Sequence, residues 1–222
     1  MKKFKILILI SSFLLVNILN AAYNQNRVVL TSTQILKDIM KAPKTGITKE
    51  LLHNAKAIAI FPNTQKGAFF IGARVGKGIL CVKNSNAGWS DPIFVKFKGL
   101  SIGLQFGFLA TDLVVIFKTD RSLDDLASGK VTLGIDIGVV AIAKGVGGAV
   151  KTDEKLAADI QSYGKSSGGF VGVSVDGSTL NVSDNDNFDY YNSLVYLEDI
   201  LTKNHIKDKE ESRKLREVLD SL

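Results

Sequence analysis

Cysteine is nearly absent from this chain: Cys81 stands alone among 222 residues. A single thiol excludes an intrachain disulfide framework and any zinc site built from cysteines. Histidine is almost as scarce, with only His53 and His205, too few for a histidine-rich metal centre. There is no G-x-S-x-G elbow and no H-E-x-x-H helix, so two common hydrolytic arrangements drop out. Nothing in the composition suggests disorder: apolar residues make up 45% and charged residues 23%, which is globular material with enough apolar content for a core. The length fits one ordinary domain plus tails.

The charge that is present needs locating. Lys2, Lys3 and Lys5 precede an uncharged apolar stretch from Ile6 to Val16, followed by Asn17 to Ala22 with small residues at the end. A positive leader, an apolar run of this length and a small-residue cleavage site read as a signal peptide over 1–22. The run is short for a membrane-spanning helix of about 20 residues, and no cysteine follows it to carry a lipid. Export to the periplasm or cell envelope, or secretion, is the expectation, and it leaves no place for a nucleic-acid partner.

The formal charge of +6 then divides unevenly. Tyr23 to Lys98 holds 12 basic and 3 acidic residues, or +9, whereas Gly99 to Leu222 holds 13 basic and 19 acidic, or −6. The front of the chain is therefore suited to an anionic surface. The cations that would meet it are Arg27, Lys37, Lys41, Lys44, Lys49, Lys56, Lys66, Arg74 and Lys77.

Helical spacing of Val28, Val29, Ile35, Leu36, Ile39 and Met40, with Ser32 in the remaining slot, predicts an amphipathic helix ending before Pro43. Its apolar stripe has two uses open to it, insertion at a membrane interface or packing on the core. Thr48 is the expected N-cap of a second short helix through Ala55. Ala57 to Phe61 is a buried-strand run stopped by Pro62. Apolar residues alternate with glycine and polar residues in Leu100–Gly107 and again in Val131–Gly138, so each strand has one bulky face and one small one. Val171–Val175 and Thr179–Val182 flank Asp176-Gly177, a hairpin signal. Ser122–Ala127, Asp153–Tyr163 and Ser193–Leu222 read as helical. The prediction is an α+β fold: one domain with a curved, mostly antiparallel, glycine-rich sheet, a partial barrel, packed with helices.

Tests for site chemistry are negative. Gly72 to Gly78 has three residues between its first glycines instead of four and lacks the Ser/Thr of a nucleotide loop. In Asp184 to Asp189 the expected calcium-loop glycine is Asp189, and Val195 stands where the bidentate glutamate belongs. Cys81, inside Ile79-Leu80-Cys81-Val82, reads as a small core hydrophobe. No catalytic residue, metal ligand or cofactor is indicated.

Four stretches carry a resemblance. They are Ala55 to Pro62; Gly72 to Gly78, with Gly72 and Gly76; Gly88 to Phe94, with Trp89, Ser90 and Pro92; and Ser162 to Ser178, with Tyr163, Gly169, Phe170 and Gly172. Asn187 and Tyr190-Tyr191 add a closing element. Together they resemble the SYLF domain family, the lipid-binding domain shared by bacterial envelope proteins and eukaryotic actin- and membrane-associated proteins. The similarity covers about Thr31 to Asn192, dividing the chain into a leader at 1–22, a SYLF-like domain at 23–192 and a charged helical extension at 193–222. The resemblance implies a non-catalytic protein in peripheral association with anionic membrane lipid, phosphoinositides in the eukaryotic members. A protein partner, as in actin binding there, is the alternative. Trp89 would be a buried anchor or an interfacial aromatic.

Overall fold

The computed structural model describes residues 24–41, 47–69, 71–84, 88–101, 109–127, 130–133, 139–140, 159–166, 169–173, 175, 177–202 and 206–222. The predicted leader lies outside them, as do Ile102–Gly107, residues 134–138 and residues 153–158.

Helix α1 spans Gln25–Lys41. The Asn24 carboxamide starts it by accepting the Arg27 N–H at 3.2 Å. The 3.6-residue period then turns Val29, Ser32, Thr33, Ile35, Leu36 and Ile39 inward. Burying each of its large aliphatic side chains contributes about 1.5–3 kcal/mol. Helix α2 (Lys49–His53) is capped as the sequence predicts, with the Leu51 N–H donated to Thr48 Oγ1 at 3.1 Å.

Strands β1 (Ala57–Phe69), β2 (Ile71–Asn84), β3 (Gly88–Trp89), β4 (Ile93–Ser101) and β5 (Leu109–Phe117) follow, then α3 (Asp120–Ala127). After it come β6 (Lys130–Thr132), β7 (Val139–Val140), β8 (Ile160–Ser166), β9 (Gly169–Gly172) and β10 (Thr179–Val182). Helices α4 (Asp184–Tyr191), α5 (Leu197–Thr202) and α6 (Glu210–Asp220) complete the chain. The sheet order is β6-β10-β4-β2-β1-β5-β8-β7, with β3 on β2 and β9 on β8. Pairing is antiparallel apart from β7 against β8.

Chain length alone requires this sheet to curl. From β9 to β10 there are six interstrand spacings, about 29 Å if the sheet were flat. The link from Gly172 to Thr179 reaches at most about 25 Å when fully extended. It is not extended, because the Ser178 N–H turns back to the Val175 carbonyl at 3.0 Å. Val173 bonds Ser162 of β8 at 3.0 Å, while Gly177 and Ser178 exchange bonds with Leu133, just past β6, at 2.8 Å. The link therefore ties the two ends of the sheet together, giving the curved half-barrel that the glycine-rich strands predict.

Both faces of the central strands are buried. One face packs on the helices, as the Phe94–Tyr190 ring contact at 5.1 Å between β4 and α4 marks. The other lines the concave side, where Phe61 and Phe97 meet at 5.4 Å. Glycine on that side is a matter of room. A Cβ on Gly78 would lie 2.1 Å from the Ile60 carbonyl oxygen, and one on Gly76 would lie 2.6 Å from Thr64 Cγ2. At Gly76 and Gly78 the protein's own atoms fill the space that a side chain would take.

Three expectations are corrected. Pro62 does not stop β1: the ladder shifts register between Phe61 and Thr64, Asn63 takes φ 53°, and the strand resumes. A bulge accommodates the missing proline N–H. Ile160–Tyr163 is strand, not helix, because it pairs with β5 on one side and with β7 and then β9 on the other, with every side chain buried. The turn before Gly177 exists, but β9 pairs with β8 and β10 with β4 and β6, so the flanking strands form a corner between sheet ends instead of a hairpin.

Candidate functional site

The Trp89-Ser90-Asp91-Pro92 stretch forms a joint between the sheet and the C-terminal helices. Ser90 Oγ accepts the Val82 N–H at 3.0 Å and donates to the Asp91 carbonyl at 2.9 Å. Asp91, fully buried, accepts the Ile206 N–H at 2.8 Å and pairs with the Arg216 guanidinium of α6. The Pro92 carbonyl accepts the Tyr191 hydroxyl at 2.6 Å. Asn187 of α4 bonds both backbone groups of Phe94, accepting the N–H at 2.7 Å and donating to the carbonyl at 3.3 Å, as a neighbouring strand would. Trp89 is buried under Lys83, whose ammonium lies 5.8 Å from its ring, so the anchor reading holds.

The other motif residues are likewise parts of the frame. Tyr163 is buried, with its hydroxyl on Gln161 Oε1 at 2.9 Å. Phe170 is buried, while Gly169 and Gly172 pair with Ser166 and Tyr163 in the β8–β9 ladder. Gly72 lies opposite Ala68 and Ser101 near the β1–β2 turn. Cys81 is in the core, where burial and the Asp91 carboxylate push its thiol well up. It is therefore no nucleophile at neutral pH. His53 is exposed at the end of α2.

The nine predicted cations do not form one cluster. Arg27, Lys37 and Lys41 share the solvent face of α1, with Leu30, 45% exposed, among them. Lys49 is exposed on α2, and Lys44 lies outside the described residues. Lys56 pairs with Asp120 at 3.0 Å, and Lys77 with the buried Asp186 at 3.2 Å. Lys66 and Arg74 are direct cross-strand partners toward the β1–β2 turn. Lys96 and Lys98 of β4 lie opposite Lys77 and Val75 of β2, so they share a face with Lys77, whereas Lys66 and Arg74 fall on the other face of the sheet. The apolar stripe of α1 is committed to the core, packed on α6, β1 and β2. Membrane insertion of that stripe is therefore corrected: only the outer, basic face of the helix is open.

Sequence reasoning missed Asp91 and Arg216, 125 residues apart, and the strand-mimicking role of Asn187. The available signal was a lone acid inside the Trp-Ser-x-Pro element. Among the described residues no group of three His, Cys, Asp or Glu is placed to hold a metal. No helix among them is long and apolar enough to cross a membrane.

A curled antiparallel sheet with C-terminal helices docked on it through this joint is an α+β domain of the SYLF type. The chain belongs to the Ysc84 family, described as "Las17-binding protein actin regulator", whose family model matches residues 98–222. SH3 domain-containing YSC84-like protein 1 of Bos taurus is 31% identical over 182 residues, 81% of this chain and 52% of the relative. The Homo sapiens protein of that name has the same identity and coverage. LAS seventeen-binding protein 3 of Saccharomyces cerevisiae is 31% identical over 137 residues, 60% of this chain and 30% of the relative. The chain thus spans about half the length of its mammalian relatives.

Proposed function

We propose that the protein is a non-catalytic, exported, peripheral membrane-binding domain that docks on anionic lipid headgroups. The observation that carries this reading is the outer face of α1, where Arg27, Lys37 and Lys41 share one exposed side with Leu30 while the opposite face is locked to the core. Each such cation near an anionic membrane contributes about 1 kcal/mol. Three would strengthen binding by roughly 100-fold, and Lys49 adds to them. The contribution is screened as salt rises, since the Debye length falls from about 10 Å at 0.1 M to about 3 Å at 1 M.

The test is sedimentation of the purified protein with phosphatidylcholine vesicles, with and without phosphatidylserine, over a salt series. Binding only to the anionic vesicles, weakening with salt and reduced at least tenfold by Lys37→Glu/Lys41→Glu, is the expected result. Equal binding to neutral vesicles, or none to either, would sink the reading. A second reading, a protein-binding module, is supported by the relatives named for binding Las17. Deleting the C-terminal segment is no test of it, because Leu215 and Leu219 of α6 are core residues.

A further inference from the structure

The acidic half of the sequence carries its own exposed apolar side chains. Phe188, Leu194 and Tyr196 are 47%, 64% and 55% exposed, and they fall within nine residues of one another. Asn192, in the left-handed region at φ 53°, ends α4 by donating its N–H to the Phe188 carbonyl at 2.7 Å. The chain beyond it alternates, with Val195 and Leu197 buried and Leu194 and Tyr196 turned outward. Side chains two apart on extended backbone share a side, so the leucine and the tyrosine are presented together. The Tyr196 N–H is held by Asp199 Oδ2 at 2.9 Å, which fixes this backbone in place.

The charge carried by this segment itself has one sign, while Lys207 and Lys209 approach it at the Tyr191 carbonyl, 3.2 Å away, and over the Tyr190 ring, 4.4 Å away. From Asp184 to Thr202 there are five acidic residues and no basic one. Asp186 is buried against Lys77. Asp184, Asp189 and Glu198 are exposed, and Asp199 is half-buried. The three exposed carboxylates favour a cationic occupant over a phosphate-bearing one. Large apolar and aromatic side chains ringed by charge are the composition of a protein-docking surface.

We propose that Phe188, Leu194 and Tyr196, with Asp184, Asp189 and Glu198, form a docking surface for a basic segment of a partner protein, one that interleaves Lys or Arg with apolar side chains. The surface is independent of the lipid reading and lies in the acidic half of the sequence. The domain would then hold a membrane on the outer face of α1 and a basic polypeptide on the neighbouring surface of α4 and the turn after it, the two helices meeting where Asp189 accepts from Gln25 at 3.3 Å.

The test uses three labelled 12-residue peptides, alternating Lys/Leu, Lys/Ser and Glu/Leu, with fluorescence anisotropy on the purified protein. The Lys/Leu peptide is expected to bind about tenfold or more tighter than the Lys/Ser peptide, and the Glu/Leu peptide not at all. Leu194→Ser/Tyr196→Ser and, separately, Asp184→Lys/Glu198→Lys should each weaken binding at least tenfold with an unchanged urea midpoint. All four positions are exposed, so folding is not at stake. Lys/Leu and Lys/Ser peptides binding alike, or either variant binding as the parent does, overturns the proposal. So does self-association of the protein abolished by Leu194→Ser, which would assign the patch to a second copy.

Discussion

Replacing Arg216 by methionine isolates the joint between the sheet and α6. Asp91 is 0% exposed, and its two oxygens are used by the Ile206 N–H and the Arg216 guanidinium. Methionine fills much of the space of the arginine stem but leaves a buried carboxylate with one backbone donor and no counter-charge. Breaking a buried pair from one side costs about 3–5 kcal/mol, a large part of a total stability of roughly 5–15 kcal/mol. For a chain of this size that lowers Tm by about 10 °C. Asp91→Asn should cost less, about 1–3 kcal/mol, because the amide oxygen still accepts from Ile206 and the Arg216 side chain, 16% exposed, retains a path to water. The double variant should be less destabilised than the two single losses added, by at least about 1 kcal/mol. Urea unfolding read by the fluorescence of Trp89, the only tryptophan and a neighbour in the same joint, reports each value. Arg216→Met within about 1 kcal/mol of the parent, or strictly additive losses, would refute the argument that the pair is sealed and coupled.

Two further outcomes follow from the core. Gly78→Ala sets a Cβ against the Ile60 carbonyl, backbone that can only move by parting β1 from β2, so a loss above about 3 kcal/mol or failure to fold is expected. A midpoint unchanged in urea would contradict the packing described. Burial raises the Tyr163 and Tyr190 hydroxyls to about 12, above the ordinary value of about 10. The unfolded chain therefore sheds these protons first, and stability falls between about pH 10 and pH 12, by about 1.4 kcal/mol per unit for each phenol. Stability measured at pH 9, 10 and 11 should decline, and Tyr163→Phe/Tyr190→Phe should make the decline shallower without abolishing it, because burial raises Tyr191 as well; a parent profile already flat would refute it.

The parts of the fold legible in the sequence are those set by near neighbours. The stripe of α1 and the Thr48 cap depend on residues within two turns, and both are where the spacing puts them. β8 was misread because its inward groups are polar and satisfied inside: Ser162 Oγ donates to the Val173 carbonyl and Tyr163 to Gln161. Buried hydrogen bonds leave no apolar alternation to see. Asp176-Gly177 announced a turn, but turn chemistry fixes the local bend and not which strands lie beside it. The candidate site suffered likewise. Twelve cations could be counted on the front of the chain, yet the ladder decides that Lys77 faces Lys96 and that Asp186 reaches Lys77. The acidic aromatic patch was hidden because exposure, not composition, distinguishes Leu194 from Val195.

The position of β1 and β2 in the sheet bears on how family boundaries should be read. The family match begins at Lys98, inside β4. In the sheet, β4 and β5 are not neighbours, because β2 and β1 lie between them. A polypeptide starting at Lys98 would lose β1, β2 and the first five residues of β4, along with Phe61, Ile79 and Leu80. The most recognisable stretch of this sequence is thus not a detachable piece. Residues 57–84, though earlier in the chain than the match, are the centre on which the rest is built.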